Sequence, residues 1–387
     1  MENFYFQNKT KIIFGKNSHF QIGKEISYFS KKVLFLYGGG SIKKAGIYSE
    51  VVDSLKESGI EFLELGGVQP NPVISLAREG IDICKKNKID FILAVGGGSV
   101  IDTAKTIALG VNYKGDVWDF FDGKAKPDNV LSIGVVLTIP AAGSESSIVT
   151  VMTNEVGLIK RGFHSELLLP VFAVLNPQFC KSLPTFQIAC GTADILAHTF
   201  ERYFTQSKNT DLTDRLSEGL IKTVIHNGIK AFKNPSDYDS MAEIMWSSTI
   251  AHNGLLGTGR IEDWASHRIA HEISGIYGIT HGAALSVIFP AWMKYVYKFN
   301  INRFAQFAIR VFEAPFYPEN IEDTAKQGIS KLQNFFRQLN LPLTLQDLNI
   351  NLDRIEEMAE KAVSRGPLGN FKKLAKEDIV EIYKLAY

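Results

Sequence analysis

Phe91-Ile92-Leu93-Ala94-Val95-Gly96-Gly97-Gly98-Ser99 is the stretch that decides the fold. Five apolar residues without polar alternation fit a strand buried on both faces. The glycines that end it, followed by a helical pattern through Leu109, fit a tight strand-to-helix turn. The same pattern recurs upstream. Residues 33–37 run into Gly38-Gly39-Gly40-Ser41 and a helical pattern to about Glu57, and residues 61–65 run into Gly66-Gly67, with Pro70 and Pro72 ahead of a helix near 73–87. Downstream, residues 133–138 form another buried strand leading into Pro140–Ser144, and residues 172–175 read as the last. Residues 149–154 and 158–160, separated by Glu155-Val156-Gly157, read as a hairpin. Strand, glycine turn and helix in repetition predict an α/β domain with a mostly parallel sheet and ligands at the carboxyl ends of its strands. Glu2–Gln7 reads as the start of the first strand.

After Pro177 and Pro184 the texture changes. Apolar residues recur at helical spacing, as in Ile195, Leu196 and Phe200, and no further strand is persuasive. The chain therefore divides into an α/β domain over 1–185 and an all-helical domain over 186–387, with a ligand cleft expected between them. A length of 387 residues agrees with two cores rather than one.

Composition narrows the function. Forty-two basic residues against 41 acidic ones leave a formal charge of +1, which gives no long-range pull toward nucleic acid or anionic lipid, so a small-molecule partner is expected. Cys84, Cys180 and Cys190 are too few and scattered for a disulfide framework, which fits a reducing, cytoplasmic setting. No segment approaches the roughly 20 apolar residues of a membrane helix.

The two Gly-Gly-Gly-Ser turns suit a nucleotide. Glycine lets backbone N–H groups close on a phosphate, and a following helix adds partial positive charge. Neither turn matches G-x-G-x-x-G, because Lys43 and Ile101 stand at the third glycine positions. NAD-preferring enzymes usually place a carboxylate near the first such turn. Here Ser41, Lys43 and Lys44 follow the glycines instead, which favours the 2′-phosphate of NADP.

The helical half carries the metal signal. Asp194 and His198 stand four apart, as do His267 and His271, so each pair shares one helix face, and His281 lies in a glycine-marked segment. Carboxylate and imidazole donors suit a divalent first-row metal. Five groups for about four positions leave one over, and a metal-assisted redox enzyme needs a proton donor beside its metal.

These residues together resemble the iron-containing (group III) alcohol dehydrogenase family, in particular its NADPH-dependent butanol dehydrogenase and aldehyde reductase branch. The resemblance runs the whole length. It rests on Tyr37–Lys44, Gly66–Pro72, Gly96–Lys105, Thr138–Glu145 and Gly191–Glu201, and most specifically on Glu262–His271 with Tyr277–Ala284. It implies a Rossmann-like first domain, an all-α second domain of dehydroquinate synthase-like fold, and a homodimer. It implies Asp194, His198, His267 and His281 as ligands of one divalent metal ion, Fe²⁺ first and Zn²⁺ or Ni²⁺ as alternatives. His271 is then the proton relay. Gly39, Gly40 and Ser41 face the 2′-phosphate of NADP(H), and Gly97, Gly98, Ser99 and Asp102 the pyrophosphate and ribose. Asn71, Thr138, Ser144, Ser147, Lys160 and Ser182 line the cofactor site. Ala142 departs from the family's usual threonine, and residues 146–149 are less polar than usual. The implied reaction is hydride transfer between NADP(H) and small primary alcohols or aldehydes, running toward aldehyde reduction. Glycerol dehydrogenase-like and 3-dehydroquinate synthase-like enzymes are the alternatives. The latter needs several cationic side chains for its substrate, and the helical half offers few obvious ones beside the histidines apart from Arg260 and Arg268, which helical solvation explains equally well.

Overall fold

The computed structural model describes residues 1–387. Six strands, β1 (Lys11–Phe14), β2 (Lys32–Tyr37), β3 (Glu61–Leu65), β4 (Phe91–Gly96), β5 (Ser132–Leu137) and β8 (Phe172–Leu175), form one sheet in the order β1-β8-β5-β4-β2-β3. Every pairing in it is parallel. β4 is buried along its whole length, as its unbroken apolar run requires. Helices over Ile47–Glu57, Ile74–Asn87 and Gly98–Val111 follow β2, β3 and β4. The core on one side of the sheet joins Val33, Phe35, Leu93, Val136 and Val174 to Val51 and Leu55 of the first of these helices. Gly134 of β5 leaves room for its partner on β8: a Cβ there would come within 2.4 Å of the Phe172 ring.

β6 (Val149–Asn154) and β7 (Ile159–His164) form a separate antiparallel hairpin, Val149 opposite His164. Its second arm runs four residues past the sequence expectation. Only Lys160 on that arm is buried, so backbone pairing holds it without a hydrophobic signal. The N-terminus also departs from expectation. Residues 1–10 form no strand; the Glu2 amide donates to the Gly259 carbonyl (2.9 Å), and Phe4, Tyr5 and Phe6 remain exposed.

The chain separates into two compact units. One comprises Gln7–Leu183 with Pro235–Thr249, and the other Met1–Phe6, Pro184–Asn234 and Ile250–Tyr387. A single cut near residue 185 therefore misplaces two pieces. The place of Pro235–Thr249 in the α/β unit is explained by side chains: Thr249 donates to the buried Glu145 carboxylate (2.6 Å), and Trp246 packs on Phe14.

The helical unit is built on Thr185–Tyr203, Asp211–Lys233, Ala265–Tyr277, His281–Val296, Ile301–Phe312 and Ile321–Gln338, with shorter helices after them. Its core is aromatic. The Phe204 ring stacks on Phe304 at 4.6 Å and meets Phe307 and Trp292 edge-on. Beside this core Asp214 joins two guanidinium groups, Arg260 at 2.8 Å and Arg303 at 2.6 Å.

Candidate metal centre and nucleotide turns

The Thr185–Tyr203 helix is buried along most of its length, yet it carries Asp194, His198 and Glu201 at intervals of four and three residues. That spacing puts all three on one stripe of a helix whose other residues are largely apolar. Buried polar groups on such a stripe require partners. Each has them. His198 Nδ1 donates to the Asp194 carbonyl one turn back (2.9 Å) and lies 3.2 Å from Asp194 Oδ1. That bond fixes the tautomer and leaves His198 Nε2 as the available electron pair.

His267 enters from the first turn of the Ala265–Tyr277 helix, and His281 opens the His281–Val296 helix. Their Nε2 atoms lie 3.9 Å and 4.0 Å from Asp194 Oδ1. The ligating atoms of Asp194, His267 and His281 all fall within 4.8 Å of one another. Two atoms each bonded to one cation at about 2.1 Å are at most about 4.2 Å apart, so these two spacings fit a shared ion. A hard carboxylate with borderline imidazoles is a donor set for a divalent first-row metal. His198 stands beside this group, its ring 4.6 Å from that of His267. His271 lies one turn beyond His267, half-buried, its ring 5.2 Å from that of His281.

Glu201 escaped the sequence reading. It is fully buried, and its Oε1 accepts from His267 Nδ1 (2.7 Å) and the His267 amide (3.1 Å), while Oε2 accepts from the Trp264 amide (2.6 Å). The carboxylate orients the His267 ring and turns Nε2 toward Asp194. Burial pushes its pKa up to about 7, against the opposing pull of those two amides. The signal was the third polar position on the stripe. Arg202 is the other omission. It donates to the His198 carbonyl (2.7 Å) and to His252 Nδ1 (3.2 Å), pairs with Glu262 (3.1 Å) and lies over the Trp264 ring.

Gly282 explains why a glycine must follow His281. A Cβ there would sit 2.1 Å from the Cys190 carbonyl oxygen, so this close approach seats the helix bearing His281 against the one bearing Asp194.

In the α/β unit both glycine turns sit at strand carboxyl ends. Gly97 precedes the Gly98–Val111 helix, whose start has no side-chain cap. Its first amides are free to meet an anion. Above Gly39 and Gly40 nothing lies within 4 Å of where a Cβ would be. Three residues named for the cofactor face inward instead. Asp102 accepts from Ser144 Oγ (2.6 Å) and the Val151 amide (3.0 Å). The fully buried Lys105 ammonium donates to the carbonyls of Ser144 (2.7 Å), Ser147 (2.8 Å) and Val149 (2.8 Å) and to Ser144 Oγ (3.0 Å). Asp102, Ser144 and Ser147 thus help shape the turn after β5. Lys160 donates to Asn71 Oδ1 (2.8 Å), the Thr138 amide to the Gly96 carbonyl (3.0 Å), and Ser182 is exposed.

The expectation that no carboxylate attends the first glycine turn is corrected by the fold. Glu64 on β3, the strand next to β2, accepts from Tyr37 (2.8 Å) and Tyr48 (2.5 Å) and lies 3.4 Å from Lys43 Nζ. A local reading of the turn cannot see it, because it arrives from the neighbouring strand.

Arg260 is also not the solvated cation its sequence context suggested. It is buried and held by Asp214 and the Arg202 carbonyl, which removes it from a 3-dehydroquinate synthase-like role.

Comparison with known proteins identifies the family. Residues 9–177 match the model for iron-containing alcohol dehydrogenase, and residues 188–387 that for the C-terminal part of the same family. A probable NADH-dependent butanol dehydrogenase of Bacillus subtilis (strain 168) is 41% identical, covering 99% of each chain. An NADPH-dependent aldehyde reductase of Escherichia coli (strain K12) is 36% identical over 95% of this chain and 94% of its own. The crystal structure of an NADH-dependent butanol dehydrogenase A from Thermotoga maritima superposes with a TM-score of 0.97 at 41% identity, covering 100% of this chain and 99% of that one. With family models spanning both halves and relatives this similar along the whole length, the chain belongs to the iron-containing alcohol dehydrogenase family.

Proposed function

We propose that this chain reduces small primary aldehydes such as butanal to alcohols, taking NADP(H) and also NAD(H), with one divalent ion held by Asp194, His198, His267 and His281. The observation that carries the proposal is the convergence of the Asp194, His267 and His281 donor atoms within 4.8 Å. Fe²⁺ is the first choice of metal, with Zn²⁺ or Ni²⁺ able to occupy the same donors.

When bound, the metal supplies Lewis-acid polarisation of a carbonyl, and the nicotinamide supplies the hydride. The protein's own residues do the rest. Three neutral imidazoles and one carboxylate would leave a bound divalent ion with a net positive charge, which would favour oxygen with developing negative charge. Glu201 and the Asp194 carbonyl hold the rings of His267 and His198 in one tautomer. His271, half-buried beside His281, gives the proton that completes the alcohol. In the α/β unit, Gly97, Gly98 and Ser99 offer the pyrophosphate the start of an uncapped helix. The open turn at Gly39, Gly40 and Ser41 leaves room for a 2′-phosphate, while Glu64 offsets the charge of Lys43. That balance supports use of both nucleotides. Thr138, Asn71, Lys160 and Ser182 line the remaining rim. The proposal extends to a cytoplasmic homodimer, which sedimentation of the purified protein would check.

The test is direct. Anaerobically purified protein should carry about one metal ion per chain and oxidise NADPH or NADH when butanal is added. His271→Ala should lower turnover by on the order of 10²-fold with metal content unchanged. Absence of both metal and butanal-dependent oxidation would refute the reading.

A further inference from the structure

We infer that Glu64 sets the nucleotide preference of this chain by neutralising Lys43 at the rim of the first glycine turn. The inference rests on the nucleotide reading above and adds a residue that no local motif contains.

β2 and β3 are parallel neighbours, with Phe35 opposite Glu64, and both end in glycine turns. The two turns are tied together, the Gly67 amide donating to the Gly38 carbonyl at 2.8 Å. Glu64 therefore lies at the base of the Gly38–Ser41 turn. Its two oxygens are taken up by three donors, the hydroxyls of Tyr37 and Tyr48 and the Lys43 ammonium. Lys43 Nζ also lies over both phenol rings, 4.9 Å and 4.6 Å from their centroids. One anion and two aromatic faces thus hold the ammonium on the strand side of the turn.

The turn itself is open. No atom lies within 4 Å of a Cβ built on Gly39 or Gly40, and Ser41 is exposed. No side chain therefore closes over these two glycines, and discrimination falls to charge. A phosphate carries about −1.5 to −2 at neutral pH and gains from a nearby ammonium. In this chain that ammonium already has its counter-charge. With Glu64 made neutral, Lys43 keeps its place but presents a full positive charge to the turn. The Tyr48 hydroxyl can still donate to a glutamine Oε1, and the Tyr37 hydroxyl can turn to accept from its Nε2, so Glu64→Gln preserves the scaffold.

The experiment is a four-way cycle of the wild type, E64Q, K43Q and the double variant. It measures Kd for NADP⁺ and NAD⁺ by calorimetry and kcat/KM for NADPH and NADH with butanal. E64Q should raise the NADPH-to-NADH ratio by about 5–10-fold, the effect of one exposed charge at close range, with binding of NAD⁺ unchanged. The gain should shrink in high salt. In the K43Q background E64Q should change nothing. An unchanged ratio in E64Q overturns the inference. An equal gain with and without Lys43 also overturns it, because the carboxylate would then act by repelling the phosphate directly. Failure of the wild type to bind either nucleotide would instead refute the functional reading beneath it, and calorimetry separates that outcome from a loss of turnover alone.

Discussion

The two chemical regions of this chain solve opposite problems. Around Asp194 and His267 the polar groups are buried, and each is held by another: Glu201 on His267, the Asp194 carbonyl on His198, Arg202 on the His198 carbonyl. Around Gly38–Ser41 the surface is open, and one partly exposed ion pair defines its charge. Buried groups must be satisfied, so their partners are fixed and removing one leaves a large penalty. Exposed charges are screened and individually weak, so they tune rather than build. Substitutions in the first region should therefore abolish, and those in the second should bias.

The largest effect belongs to the proposed metal ligands. His267→Ala should remove the metal and with it all butanal-dependent turnover, as metal analysis of the purified variant would show. Retention of metal and activity would break the comparison at its stronger end. Glu201→Ala leaves the ligands in place but frees the His267 ring. Loss of such an orienting carboxylate costs about 10–100-fold in metal affinity, readable by chelator competition. Gly282→Ala should act through geometry alone. Its methyl group meets the Cys190 carbonyl, so the helix bearing His281 must shift, at a cost of about 1–3 kcal/mol by chemical denaturation together with weakened metal binding.

The parallel sheet was legible because β4 and its neighbours are apolar on both faces and end in glycine. Helical spacing singled out the Asp194/His198 and His267/His271 pairs, and resemblance added His281; the structure brings the donor atoms of Asp194, His267 and His281 together, with the His198 ring beside that of His267. What escaped were relationships across elements. Glu201 shares a helix with Asp194 but has its effect on His267 of another helix. Glu64 is remote in sequence from the turn it serves. The second arm of the hairpin beyond Lys160 carries no burial pattern to read. Spacing along a chain reports which side chains share a face, whereas the partner on the next strand or helix depends on packing.

Lys105 lies between the two regimes, since it is buried like Asp194 and His267 yet belongs to the α/β unit. Desolvation lowers its pKa from 10.5 to about 8, opposed by the charges of Asp102 and Glu145. Lys105→Met should destabilise the protein by about 3–5 kcal/mol, because it leaves the Asp102 charge and three carbonyls without their cation. The linkage has a definite sign. Between pH 8 and 10.5 the unfolded chain binds more protons at this lysine than the folded one, so its contribution to stability rises with pH. The stability gap between the wild type and Lys105→Met should widen across that window. A gap that narrows would mean that the folded protein favours the charged lysine.

The smallest effect is expected at the open turn. Gly39→Asp places a carboxylate where no neighbouring atom obstructs it, so neither fold nor metal content should change. The added charge faces the region assigned to the 2′-phosphate, and an exposed like charge at close range weakens binding by about 5–10-fold. NADPH should lose that factor in kcat/KM while NADH stays within about 2-fold, since a carboxylate can accept from a ribose 2′-hydroxyl. Equal losses for both nucleotides would mean that the turn holds a part common to them, and the contrast between a region that builds and one that biases would then have to be drawn elsewhere. Combining Gly39→Asp with E64Q sharpens the measurement. If E64Q frees the Lys43 charge toward the same phosphate, it should recover part of what Gly39→Asp removed, and recovery should fade as salt screens both charges.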